Sequence, residues 1–187
     1  EGRISSFVLP LDGLDPEATR KLLSSFEDLS DEQWLHIHGL SRGHPLVLEL
    51  INRGASAGAY HESLEAYVSV EIFSKLSAEE TRVLSALSVF RESVSLDALG
   101  QQDLDLDVLD SLVDQGLARQ ADSNTFDVHD LIREFHLRSL DEQQRQDLHR
   151  RCIAWYAEHH ATAEQLVEYI HHLIACDEIE DAVNLLT

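Results

Sequence analysis

The chain has no methionine and only two lysines, Lys21 and Lys75; its other twelve basic residues are arginines. Cysteine is as scarce. Cys152 and Cys176 stand 24 residues apart with no Cys-x-x-Cys, which argues against a disulfide framework and a cysteine-based zinc site. A reducing cytoplasmic setting is the expected compartment. No apolar run approaches about 18 residues and no leader pattern is present, so no membrane span is expected. With 3 prolines and 8 glycines, few residues break helices. Aromatics are 6% of the chain while hydrophobic residues are 43%, so the core must be built of Leu, Val, Ile and Ala. That composition predicts a mainly α protein. There is also no Gly-x-x-x-x-Gly-Lys-Ser/Thr stretch, so this chain alone cannot cradle a triphosphate and is not expected to be catalytic.

What is abundant is negative charge. The 35 acidic and 14 basic residues give a net charge of -21. Such a field repels nucleic-acid phosphates and anionic membranes unless basic groups are segregated, and here they are not. A lysine-poor acidic surface fits a protein of a high-salt cytoplasm and fits equally an ordinary solvated surface. The chain does not begin with Met and ends at Leu185-Leu186-Thr187 inside an apolar helical pattern, as expected of a piece of a longer protein.

Residues 4–11 (ISSFVLPL) predict the end of a buried strand closed by Pro10. Asp15-Pro16-Glu17 then opens a helix with Ala18, Leu22, Leu23 and Phe26 on one face. Ser30 and Gln33 form a capping box before Trp34, Leu35 and Ile37. Gly43 breaks that helix, and Pro45 starts another that runs through Leu50-Ile51 towards Gly54. A small-residue linker at 55–58 precedes a helix over 60–76, with Leu64, Tyr67, Val68, Ile72 and Phe73 inward.

Ser77 and Glu80 form a second capping box, with Val83, Leu84, Leu87 and Phe90 inward. A short helix near 95–99 and a third from Asp107, carrying Val108, Leu109, Leu112 and Val113 and stopping at Gly116, follow. Two strands, 117–120 and 125–128, flank an Asp122-Ser123-Asn124 turn. Three helices and a hairpin are the order of a winged helix-turn-helix.

The hairpin leads into Phe126 to Leu140 (FDVHDLIREFHLRSL), where Leu131 and Phe135 sit one turn apart with Ile132 beside them. Asp130 lies where a carboxylate can cap the helix, and His129 is held at the strand-to-helix junction. Beyond Leu140 the chain reads as helices over 141–160, 163–175 and 178–186, with Leu148, Cys152, Ile153, Trp155 and Tyr156 inward on the first. They suggest either the start of a helical-repeat array or a plain bundle.

Three stretches in this order resemble the regulatory half of the STAND (NB-ARC) signal-transduction ATPases. Leu9-Pro10-Leu11-Asp12-Gly13-Leu14 with Leu22-Leu23 resembles the strand and first lid helix after a P-loop core. Gly43-His44-Pro45-Leu46 is similar to the family's Gly-x-Pro-Leu lid motif. Val128-His129-Asp130-Leu131 is similar to its Met-His-Asp motif, with Val in place of Met. The resemblance covers about residues 4–140. It implies a core strand end at 1–14, a helical lid subdomain at 15–76, a winged-helix domain at 77–140 and the start of the repeats at 141–187. It also implies ATP or ADP with Mg in the full-length protein, none being bound by this fragment alone. In the ADP-bound resting form Pro45 would contact the adenine, His129 the β-phosphate, and Asp130 would orient the loop. Exchange for ATP would open the structure and permit oligomer formation. The implied partners are the chain's own ATPase core and proteins recognised through the helical repeats.

A second reading makes the winged helix the DNA-binding part of a transcription regulator. Asp103, Asp105, Asp107, Asp110 and Asp114 crowd the third helix with only Arg119 near, which disfavours DNA. The pairs His159-His160 and His171-His172 lack a Cys or carboxylate at ligand spacing, so no metal site is expected. Arg133, Arg138, Arg145, Arg150 and Arg151 read as a solvated face paired with Glu134, Asp141, Glu142 and Asp147, or as a contact to the ATPase core.

Overall fold

The structure, a computed structural model, describes residues 13–23, 30–54, 64–100 and 104–186. The expected strand at 4–11, the linker at 55–58, Phe26 and Asp103 lie outside the described residues. The fold is mainly α with one small antiparallel sheet. The chain divides into two compact units, Glu1–Leu64 and Glu65–Thr187.

In the first unit, α1 (Pro16–Leu22) starts at Asp15, whose carboxylate accepts from the Ala18 N–H at 2.8 Å. The reciprocal Ser30–Gln33 box opens α2 (Asp31–Ser41) as the sequence predicts, and Pro45 opens α3 (Pro45–Gly54). Their core is Leu23, Trp34, Ile37, Val47, Leu48, Leu50 and Ile51. Two expected core residues face outwards: Leu22 is 42% exposed and Leu35 65%. The buried position on α1 goes to Thr19, which satisfies its own hydroxyl by donating to the Asp15 carbonyl at 2.8 Å. A polar side chain that bonds back one turn can be buried at little cost.

Arg42 (φ 48°) and Gly43 (φ 71°) form a left-handed turn between α2 and α3. The Leu14 N–H donates to the Gly43 carbonyl at 2.8 Å. The two backbones lie so close that a Cβ on Gly13 or Gly43 would come within 3.0 Å of Arg42 or Leu14 backbone atoms.

In the second unit, the helix expected over 60–76 is not uniform. It is described as α4 (Leu64–Tyr67), one π turn (Val68–Ile72) and one 3-10 turn (Phe73–Lys75). Tyr67, Val68 and Ile72 are buried. The Ser77–Glu80 box opens α5 (Ala78–Ser88), and Val83 through Phe90 are all buried. Then follow β1 (Val94–Ser95), α6 (Leu96–Gly100), a 3-10 turn (Leu106–Val108), α7 (Leu109–Asp114), β2 (Arg119–Asp122), β3 (Thr125–Asp127) and α8 (Asp130–Ser139). The strand order is β1-β3-β2, with Phe126 of β3 opposite both Val94 and Gln120. The first hairpin strand begins later than expected because the N–H groups of Leu117 and Ala118 donate to the Leu112 carbonyl and close α7. β1, only two residues long, has no counterpart in the sequence reading.

On α8 the buried seam is Ile132 and His136; Leu131 and Phe135 are half-buried. Asp141 caps α9 (Glu142–Glu158), and Thr162 caps α10 (Ala163–Ala175), each with a glutamine three residues on. α11 (Ile179–Asn184) follows. His149 meets His172 and Tyr156 meets Tyr169, the register of an antiparallel helical hairpin. Cys152 and Tyr156 are buried at the seam; Leu148, Ile153 and Trp155 are half-buried. Arg91, just past α5, ties this hairpin to the preceding helices. Its Nε donates to Glu168 Oε1 at 2.9 Å, its Nη2 to the Val167 carbonyl at 3.2 Å, and its backbone N–H to Glu168 Oε2 at 3.3 Å.

Candidate functional site

His129 is fixed by the start of α8. Its Nδ1 accepts from the Leu131 N–H at 3.2 Å, so the imidazole itself is the helix N-cap. Asp130, expected to be the cap, is instead the first helical residue; its side chain is 92% exposed and pairs with Arg133 one turn on. The physical consequence is a defined tautomer. A nitrogen that accepts carries no proton, so the neutral ring holds its proton on Nε2 and can offer it as a hydrogen-bond donor. The charge-assisted donor that a protonated ring would provide requires breaking the cap.

Pro45 stands exposed at the first position of α3. The turn before it is rigidly specified: the Gly43 N–H donates to Ser41 Oγ at 3.2 Å and the His44 N–H to the Ser41 carbonyl at 2.8 Å. Pro45 belongs to the first unit and His129 to the second.

The surface around α7 is acidic. Asp105, Asp107, Asp110 and Asp114 are exposed. The Arg119 guanidinium makes two 2.8 Å hydrogen bonds to Asp127, leaving it a poor partner for a phosphate. The arginines beyond it are paired at helical spacing: Arg138 with Glu134, Arg145 with Glu142, Arg150 with Asp147. Asp141 is the exception to the expected pairing, being used as a cap. Arg151 instead lines a cleft of about 1030 Å³ with Ser95, Asp97, Trp155 and His159. Among the described residues no helix is long and apolar enough to cross a membrane.

Two buried histidine environments escaped the sequence reading. His136 is 2% exposed, and its Nε2 lies 2.8 Å from the Ser85 hydroxyl, which itself donates to the Thr81 carbonyl. The ring must therefore donate from Nε2, and burial pushes its pKa down to about 4. The second environment joins His149 of α9 to His171 and His172 of α10. One ring nitrogen from each lies within 4.8 Å of the others. Burial depresses the pKa of all three; neighbouring histidines lower His149 and His172 further, Arg91 lowers His171, and His149 falls to about 4. The only hint in the sequence was the His171-His172 pair. Its third member lies on the preceding helix and is found only once α9 and α10 are set in antiparallel register.

Comparison with known proteins places the fold. No protein-family model matches the sequence, and no curated protein matches it. Among solved structures, the chain is similar to the Signal Transduction ATPase with Numerous Domains (STAND) protein with a tetratricopeptide repeat sensor from Pyrococcus horikoshii. The likeness has a TM-score of 0.65 at 25% identity and extends over 94% of this chain. The fold is thus STAND-like. The chain spans 27% of the length of that neighbour.

Proposed function

We propose that this chain is the regulatory part of a nucleotide-switched signalling ATPase of the STAND kind. The first unit is the lid subdomain. The helices and sheet from α5 to α8 form the winged helix, and α9 to α11 begin a helical-repeat sensor. The observation that carries this reading is the fold likeness to a STAND protein over 94% of the chain. The fixed histidine supports it: a neutral Nε2–H donor held by a helix cap is suited to a nucleotide phosphate. So does the apolar surface of the last helices, where Val167, Ile174, Ile179 and Val183 are about half exposed, as a stacking repeat or partner protein would require.

In this reading a P-loop core elsewhere in the protein binds ADP or ATP with magnesium. Pro45 packs by the adenine, His129 donates to the β-phosphate, and Asp130 holds the junction through Arg133. The contacts exist in one nucleotide state only, so they bias a closed form; their loss frees the chain to oligomerise and to engage partners. The setting is cytoplasmic. The transcription-regulator alternative gains no support from α7, whose acidic surface would meet a phosphate backbone with like charge.

The test is ADP calorimetry on the full-length protein with its P-loop core, comparing wild type, His129→Ala and His129→Asn. Asparagine is a good helix cap but cannot place the imidazole Nε2–H. Loss of about 1.5–3 kcal/mol of ADP affinity in both variants is expected, as for a hydrogen bond to a charged group. ADP binding unchanged in the Asn variant would make His129 a structural cap only.

A further inference from the structure

We propose that His149, His171 and His172 bind a divalent transition metal, zinc in the first instance, as a clip between α9 and α10. The three ring centroids form a nearly equilateral triangle with sides of 5.1, 5.2 and 5.6 Å. Three imidazoles bound tetrahedrally at a Zn–N distance of about 2.0–2.1 Å have their centroids roughly 5 Å apart. The ring centres are therefore spaced as for ligands of one ion, with a nitrogen of each within 4.8 Å of the others. His149 Nδ1 and His172 Nδ1 are only 2.8 Å apart and belong to different helices.

The surroundings set the tautomers such a site needs. His172 is wholly buried, and its Nε2 has no hydrogen-bond partner among the described residues. The Glu168 carboxylate stands 3.9 Å from that nitrogen and is itself held by Arg91. A carboxylate there favours the proton on Nε2 and leaves the Nδ1 lone pair directed towards His149. The Val89 backbone lies near the His171 ring and favours a proton on it. A ring N–H turned to that backbone would leave the other nitrogen to ligate. Metal-binding histidines characteristically donate their remote N–H to a carboxylate or a backbone carbonyl, which fixes the ring and raises its basicity.

Without a metal, the same atoms make one hydrogen bond between His149 and His172 and leave a polar nitrogen buried beside a carboxylate. With one, both Nδ1 lone pairs and His171 share a cation, while Glu168 stays paired with Arg91. His149 and His171 are half-exposed, so water can take the fourth position. An all-imidazole donor set suits zinc, copper or nickel and is poorly matched to magnesium or calcium. Sequence distance hides the site, since His149 lies on a different helix from the pair.

The experiment is titration of the chelator-treated chain with Zn²⁺ by calorimetry and with Co²⁺ by visible absorption, alongside melting curves. One equivalent of Zn²⁺ should bind and raise the Tm, and Co²⁺ should develop a tetrahedral d–d band. His149→Gln and His171→Gln, at half-exposed positions, should retain the helical circular dichroism. Each should lose the band and weaken Zn²⁺ binding more than the about 10- to 100-fold that removing an outer hydrogen-bonding partner costs. His159→Gln should behave as wild type. Absence of stoichiometric binding, or binding that survives both substitutions, would overturn the site.

Discussion

At the scale of single residues, the fold is most exacting where the chain has no side chain to spare. Gly43 has a positive φ and touches Leu14 backbone, so alanine there meets both conformational strain and a clash. Gly39, in the last turn of α2, has nothing within 4 Å of a Cβ and keeps helical backbone. The two should respond with opposite sign. Gly43→Ala is expected to destabilise by about 2–3 kcal/mol, whereas Gly39→Ala should stabilise by about 0.5–1 kcal/mol. Urea denaturation monitored by circular dichroism checks both. The sequence marked Gly43 as a breaker, but nothing in it shows that Gly13 and Leu14 are laid against the turn. That contact is between backbones, and the residues involved carry no pattern.

At the scale of elements, helix starts were the most legible feature because each is a local exchange of hydrogen bonds. Ser30–Gln33 and Ser77–Glu80 form the expected reciprocal boxes. The turn between β2 and β3 was legible for the same reason, with Asp122 Oδ1 accepting from the Asn124 N–H at 2.8 Å. What periodicity missed has physical causes. The π turn at Val68–Ile72 is a change of hydrogen-bond register within one apolar stripe, and no residue type announces it. The seam of α8 was displaced by one residue because His136 reads as polar, yet it is buried through its bond to Ser85. The cap of α8 was assigned to Asp130, a commoner capping type, but the ring of His129 fills that place.

The attachment of α10 depends on a pair that sequence could not foresee, Arg91 and Glu168, 77 residues apart. The Glu168 side chain is 6% exposed and that of Arg91 45%. Removing the arginine strands a buried carboxylate, while the pair itself is partly screened by solvent. Arg91→Ala is expected to cost about 2–3 kcal/mol, and Arg91→Lys most of the same, because lysine cannot bridge Glu168 and the Val167 carbonyl together. Chemical denaturation of the two variants against wild type measures this.

At the scale of the whole molecule, histidines held neutral by burial or partial burial oppose acidification, while the net charge of -21 means that protonating carboxylates relieves self-repulsion. His136 has a folded pKa of about 4 against about 6.5 when unfolded. The unfolded chain therefore binds the proton first as pH falls. The stability this group confers is whole above about pH 6.5 and is lost down to about pH 4, at about 1.4 kcal/mol per pH unit. Stability should thus fall between pH 7 and pH 5, above the range in which ordinary carboxylates titrate. His136→Gln, which keeps a donor near Ser85, should flatten that slope by about one proton's worth. Thermal melts across the pH series decide it; an unchanged slope would exclude His136 as a source.

The Arg91 tether also has a mechanical meaning. It clamps α10 to the end of α5 by one backbone and two side-chain hydrogen bonds, so the two move together, and α9 follows through its packing on α10. A displacement of the Arg91 end of α5 is thus passed to α10 through three hydrogen bonds rather than absorbed in a flexible connection.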